Sequence, residues 1–162
     1  MPTITTDKDL DARTFTIEST FSAPPDRIWE LWADPRQLER WWGPPTYPAT
    51  VVEHDLRPGG RVRYFMTSPE GERMHGYWRI EAVDPPSHLS FVDGFADEEG
   101  TPNDEMFATT SSVELVEEDG GTRMTVVSTF ASREDMEQAM TMGMEEGIVS
   151  AMAQMDDILA GG

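Results

Sequence analysis

Three histidines, His54, His75 and His88, are the side chains best suited to ligate a metal or move a proton near neutral pH. Each falls in a different segment, and no His-x-x-x-His or carboxylate-rich spacing joins them. They read as edge or surface residues, and no metal is expected. Cysteine is absent, which removes thiolate nucleophiles, thiolate metal sites and disulfides together. Serine and threonine are abundant, but no Gly-x-Ser-x-Gly elbow presents one for attack. Gly59-Gly60 lies between two strand-like segments with no helix N-terminus behind it, so it is a turn and not a phosphate cradle. Acid–base work then rests on His75, Glu81 or Asp93, whose pKa a cavity would perturb. Alternation sets Trp78 and Ile80 on one strand face and Tyr77, Arg79 and Glu81 on the other. Charged side chains are rarely buried unpaired, so these read as solvated. No catalytic residue and no cofactor is assigned, and the residue chemistry leans toward a binder rather than an enzyme.

The strongest apolar signals are a methionine stripe and a tryptophan cluster. Met136, Met140, Met144, Ile148, Met152, Met155 and Leu159 recur every three or four residues, which predicts one amphipathic helix over about Ser132 to Leu159. Ser132 caps it, with Asp135 three residues on. Gly143 and Gly147 fall inside, each weakening it by ~1 kcal/mol relative to alanine and permitting close packing or a bend. The stripe serves equally as plain core or as a plastic wall for varied apolar ligands, since methionine is unbranched and polarizable. Four of the five tryptophans lie in Ile28-Trp29-Glu30-Leu31-Trp32 and Trp41-Trp42-Gly43-Pro44. Prolines bound two short helices there, about 26–33 and 35–42. Trp29 and Trp32 form the underside of the first. Trp41 and Trp42 are adjacent and are not expected to face the core together; one packs under the sheet end, the other lines a cavity mouth or an interface.

Strands must hold these helices. Period-two alternation begins at Thr14 to Ala23, and further strands follow over Ala49 to Leu56, Arg61 to Thr67, Arg73 to Val83, His88 to Gly94, Met106 to Val116 and Thr122 to Phe130. Breakers such as Arg57-Pro58-Gly59-Gly60 and Asp84-Pro85-Pro86-Ser87 separate them. The acidic stretch 95–104 is the segment best suited to move. Residues 1–12 read as a flexible N-terminal tail and residues 13–162 as a single domain. Consecutive strands joined by tight turns are antiparallel. The class is therefore α+β: a curved seven-stranded antiparallel sheet around a long C-terminal helix, with two short helices after the first strand.

Composition narrows the setting. The 162 residues carry a net charge of −19, with Lys8 the single lysine beside eleven arginines. That field repels nucleic acid and anionic membrane, so neither is expected as a partner. A basic partner is one reading of the charge; solubility, a salty habitat or codon bias is the favoured one. No apolar stretch approaches the ~20 residues that span a bilayer, and Met1 to Asp11 has no hydrophobic core of a secretory signal. A cytoplasmic location is expected.

The order of elements resembles the helix-grip fold of the START-like (birch-pollen-allergen-like, SRPBCC) superfamily. Local motifs are similar to one branch, the proteins related to the C-terminal domain of the activator of the ninety-kilodalton heat-shock protein ATPase. They are Ala23-Pro24-Pro25-Asp26-Arg27-Ile28-Trp29, Trp41-Trp42-Gly43-Pro44, Asp55-Leu56-Arg57-Pro58-Gly59-Gly60-Arg61, Val83-Asp84-Pro85-Pro86-Ser87-His88-Leu89 and Gly120-Gly121-Thr122-Arg123-Met124-Thr125-Val126. The resemblance implies a hydrophobic cavity between the sheet and the long helix. Where the family's last helix often begins Gly-Trp, this chain has Gly143-Met144 or Gly147-Ile148.

The residues expected at such a cavity are Trp42, Tyr64, Met66, Trp78, Ile80, Phe91, Met124, Met140, Met144 and Ile148. The first functional expectation is binding of a small apolar molecule there. The second is a protein-interaction module, either a homodimer or a co-chaperone for a heat-shock ATPase; the latter is disfavoured because the additional N-terminal domain of the eukaryotic activators is missing. The third is a polyketide cyclase or aromatase-like enzyme, which needs no loud motif because it works by shaping a reactive chain.

Overall fold

A computed structural model describes residues 3–103 and 105–161. Eight antiparallel strands form one open sheet: β1 (Thr3–Asp9), β2 (Thr14–Phe21), β3 (Ala49–His54), β4 (Arg61–Thr67), β5 (Arg73–Asp84), β6 (His88–Ala96), β7 (Thr109–Glu118) and β8 (Gly121–Phe130). Their spatial order is β1-β2-β8-β7-β6-β5-β4-β3. The helices are α1 (Pro25–Ala33), α2 (Pro35–Trp41), α3 (Arg133–Thr141) and α4 (Met144–Gly161). This is the α+β helix-grip arrangement, with one strand more than the alternation predicts. Among the described residues no helix is long and apolar enough to cross a membrane.

The additional strand is β1, which falls in the stretch read as a tail. It pairs with β2 from Thr3↔Thr20 to Asp9↔Thr14. The turn is closed by Asp9 Oδ1, which accepts from the backbone N–H of Asp11 and Ala12 at 3.1 and 3.0 Å. Thr6 Oγ1 and Lys8 Nζ each donate to the Glu145 carboxylate at the start of α4, both at 2.7 Å. These bonds hold the Glu145 carboxyl below its ordinary pKa and the Lys8 ammonium above its own. Backbone pairing and polar ties stabilise this edge strand, so it lacks the apolar alternation that marks the others.

The second departure is in the C-terminal helix, which is broken. Gly143 adopts φ +88°, and its N–H bonds to Met140 O at 3.1 Å while that of Met142 reaches Gln138 O at 3.0 Å. A glycine in the left-handed region closes α3, since it carries no Cβ penalty there. α4 then restarts at Met144. The methionine spacing continues across the break, which is why periodicity alone reads one helix.

α1 and α2 close one end of the sheet. Asp34 joins them: its backbone N–H ends α1 on Glu30 O at 3.0 Å, and its carboxylate caps α2 through Arg36 N at 3.0 Å. The Gln37 side-chain amide, donating at 3.1 Å, and that capping bond hold the Asp34 carboxyl below its ordinary pKa. Asp34→Ala is expected to cost about 1 kcal/mol, read as a lowered urea midpoint at unchanged m-value.

Trp41 and Trp42 are both buried in the core, at 0% and 9% exposure, which corrects the expectation that the two would not face it together. α2 lies between the sheet and α4. Trp41 turns under α1, packing edge-on to Trp32 with ring centroids 4.7 Å apart and donating its indole N–H to Leu31 O at 2.8 Å. Trp42, at the helix end, swings over the sheet against Trp78 at 4.8 Å. Gln154 of α4 seals the corner by donating to Gly43 O at 2.7 Å. Trp32 is buried as expected, and Trp29 is half-buried against the same core. In the stretch 95–104, Asp97 Oδ1 accepts from Glu99 N and Thr101 N, both at 2.9 Å; residue 104 of that expectation lies outside the described residues.

Candidate functional site

The sheet and the broken helix do not close on each other completely. A cavity of about 330 Å³ remains between them. Its sheet wall is the inward face of β4, β5 and β6, where register stacks Met66 on Met74 and Tyr64 on Gly76 across β4 and β5. Phe95 faces Gly76, and Asp93 faces Trp78, across β5 and β6. The helix wall is the α3–α4 junction: Ala139, Met142, Gly143, Met144, Gly147 and Ile148. Trp42 and Phe107 complete it. Met74 and Met142 line the cavity yet are 46% and 56% exposed, which marks the mouth.

Of the residues expected at the cavity, Trp42, Tyr64, Met66, Met144 and Ile148 line it. Trp78, Ile80, Phe91 and Met124 are instead fully packed in the layer closer to α1 and α2, where Trp78 and Phe91 stack at 4.0 Å. Met140 is half-buried against the core, off the cavity wall. The three histidines do not converge. His54 Nε2 lies 3.1 Å from Trp32 O, His88 Nδ1 lies 2.8 Å from Glu114 Oε1, and His75 packs against Phe65 and borders the cavity. Arg79 and Glu81 are exposed, as alternation implies.

The polar feature of the site is Asp93, one of the three groups named for acid–base work, which the rarity of buried unpaired charge assigns to solvent. It faces inward because β6 alternates through Leu89 and Phe91, and the same step of two reaches Asp93 and Phe95. Tyr64 Oη donates to Asp93 Oδ1 at 2.8 Å. The bond spans a strand, which Gly76 makes possible: the Tyr64 ring lies across it, so a Cβ there would sit 2.4 Å from the Tyr64 Cζ and hydroxyl. The Trp42 indole N–H is near enough to the Tyr64 oxygen to favour the phenolate slightly, without a formed hydrogen bond.

Asp93 shows part of its surface to the cavity and is otherwise enclosed by protein. Burial pushes its carboxyl up to about 7, with the Tyr64 hydrogen bond pulling the other way. Burial, and then the neighbouring Asp93 charge, push the Tyr64 hydroxyl well above its ordinary value. Near neutral pH the site thus holds a carboxyl poised between two protonation states in an apolar chamber. Among the described residues no group of three or more His, Cys, Asp or Glu is placed to hold a metal ion.

The model for activator of Hsp90 ATPase homolog 1-like proteins matches residues 22–160. The chain belongs to that family. Within the fold, a Mycobacterium smegmatis protein, Ms6760, is 54% identical over 97% of each chain, with a TM-score of 0.89. An Arthrobacter aurescens protein is 47% identical over 98% of this chain and 92% of its own, with a TM-score of 0.93. The AHSA1 protein of Silicibacter pomeroyi shares the fold at 22% identity, a TM-score of 0.71, and coverage of 91% of this chain and 97% of its own. No curated protein matches the chain. The family match covers α1, α2 and every element that lines the cavity, whereas β1 lies before it.

Proposed function

We propose that the protein binds a small, predominantly apolar molecule in the chamber between the sheet and the α3–α4 junction. The observation that carries this reading is the cavity of about 330 Å³ between the sheet and the α3–α4 junction, bordered by the apolar core. That volume lies at the small end of the range for ligand sites, ~300–1,000 Å³, and so favours a compact ligand. Aromatic and thioether walls suit one, and methionines from both sides adapt to its shape. A few polar groups at one place, Tyr64 and Asp93, would orient it.

A filled cavity tests this. Gly147 lines the chamber, and a Cβ at that position meets nothing within 4 Å. Gly147→Leu is therefore expected to raise helix stability by about 1 kcal/mol while reducing affinity for hydrophobic ligands found by native mass spectrometry and a thermal-shift screen. A more stable protein that no longer binds separates occupancy of the chamber from loss of fold. Undiminished binding to that variant would place the ligand elsewhere.

A further inference from the structure

The chamber contains one carboxylate and nothing to neutralise it. Among its described lining residues the titratable groups are Asp93, Tyr64 and His75; none is a lysine or arginine. Tyr64 occupies Asp93 Oδ1, and no described residue donates to Oδ2. Among the described residues the packed elements line the chamber with no lysine or arginine. β4 presents Tyr64, β7 presents Thr109 opposite Asp93, and on β5 His75 and Tyr77, two residues apart, both lie on the strand face opposite Gly76 and Trp78, with His75 at the border of the chamber. At the start of α4 the charges are Glu145, turned to Lys8, and Glu146, which is exposed.

Groups around the carboxyl favour positive charge. Trp42, Tyr64, Phe95 and Phe107 turn aromatic surface to the chamber, and such faces attract a cation by ~0.5–2 kcal/mol. A net charge of −19 raises the local concentration of cations and lowers that of anions. An acidic ligand would bring a second negative charge beside Asp93, which costs more in an enclosed site than in water.

We propose that the ligand class of this chamber is a lipophilic amine, an apolar body carrying one protonated nitrogen that donates to the free oxygen of Asp93. The inference rests on the reading that the chamber binds a ligand at all. Protonation follows from it. With the empty site poised at about 7, an ammonium ion binds only after the Asp93 proton leaves to solvent, so below neutral pH one proton is released per amine bound. Affinity then scales with the ionised fraction, falling about thirtyfold between pH 8 and pH 5.5.

Three probes of one shape decide it: 4-phenylbutylamine, 4-phenylbutanol and 4-phenylbutyrate, titrated against tryptophan fluorescence at pH 8 and pH 5.5. The amine is expected to bind at least tenfold more tightly than the alcohol at pH 8 and to lose that advantage both at pH 5.5 and in Asp93→Asn. Butyrate is expected to be the weakest at pH 8. Asparagine keeps the shape and the acceptor for Tyr64, and the pH comparison on the unaltered protein stands even if the variant folds poorly. An alcohol that matches or exceeds the amine at pH 8 overturns the inference and leaves the binding chamber standing. So does an amine whose affinity ignores pH. Failure of all three probes at millimolar concentration overturns the inference and the chamber reading together.

Discussion

Asp93→Asn is expected to make the protein more stable at pH 8 by on the order of 2–4 kcal/mol and to change little at pH 4. Asp93 titrates near the ordinary carboxylate value when unfolded and at about 7 when folded. Between those values the folded state holds the extra proton. This carboxyl therefore supports the fold fully below the unfolded value, and its contribution is lost as pH rises through about 7. Asparagine accepts the same bond from Tyr64 without the cost of a buried charge. The difference between the two melting curves isolates Asp93, because the remaining acidic residues titrate in both proteins. Parallel pH dependences for the two proteins would show that the Asp93 carboxyl is fully hydrated.

The second large effect belongs to Gly76. A methyl group there meets the Tyr64 ring at 2.4 Å, which no side chain tolerates. Gly76→Ala is expected to lose about 2 kcal/mol through overpacking, and the displaced Tyr64 can no longer reach Asp93. Because that hydrogen bond holds the Asp93 pKa down, the carboxyl should titrate still higher. Tyr64→Phe separates the two consequences: it removes the hydroxyl but leaves the ring over the glycine, so Asp93 should move up without the steric loss. A carboxyl-detected NMR titration reads both variants. An Asp93 resonance unmoved in Tyr64→Phe would mean the bond is not maintained in solution.

Much of this architecture is written in local patterns. β2 and β4 to β8 show alternation bounded by Pro, Gly and Asp turns, and the prolines before and after the tryptophans delimit α1 and α2. What escaped has specific physical causes. β1 is stabilised by backbone pairing and by the bonds of Thr6 and Lys8 to Glu145, so its sequence Thr-Ile-Thr-Thr-Asp-Lys-Asp carries no face. The α3–α4 break depends on the backbone angle of Gly143, to which the methionine period is blind. Trp41 and Trp42 are buried together because α2 is covered on two sides, a tertiary fact. Asp93 is the instructive case. The step of two from Phe91 already points it inward, but the rule that charge belongs in water outweighs that step. Phe91 and Trp78 were readable as interior, yet whether an interior residue meets a neighbour or a void depends on how the helices settle on the sheet.

Under the proposed binding reading, the interruption between α3 and α4 is the expected way in and out of the chamber. α3 is anchored at one end by the Ser132 cap, where Ser132 Oγ accepts from Asp135 N at 3.1 Å, and α4 is pinned along its length by Gln154 to Gly43. Between those anchors Met142 to Gly147 borders the chamber, held from outside by the bonds of Thr6 and Lys8 to Glu145, and Gly143 can change its backbone angles at little cost. A swing at this joint that releases Glu145 from Thr6 and Lys8 would open the chamber with the sheet intact. Amide exchange fastest at residues 142–147 and slow across β5 to β8 is the expected signature; uniform protection over both helices would mean passage requires wider opening. The residence time of whatever occupies the chamber would then be set by one glycine joint and not by the stability of the fold.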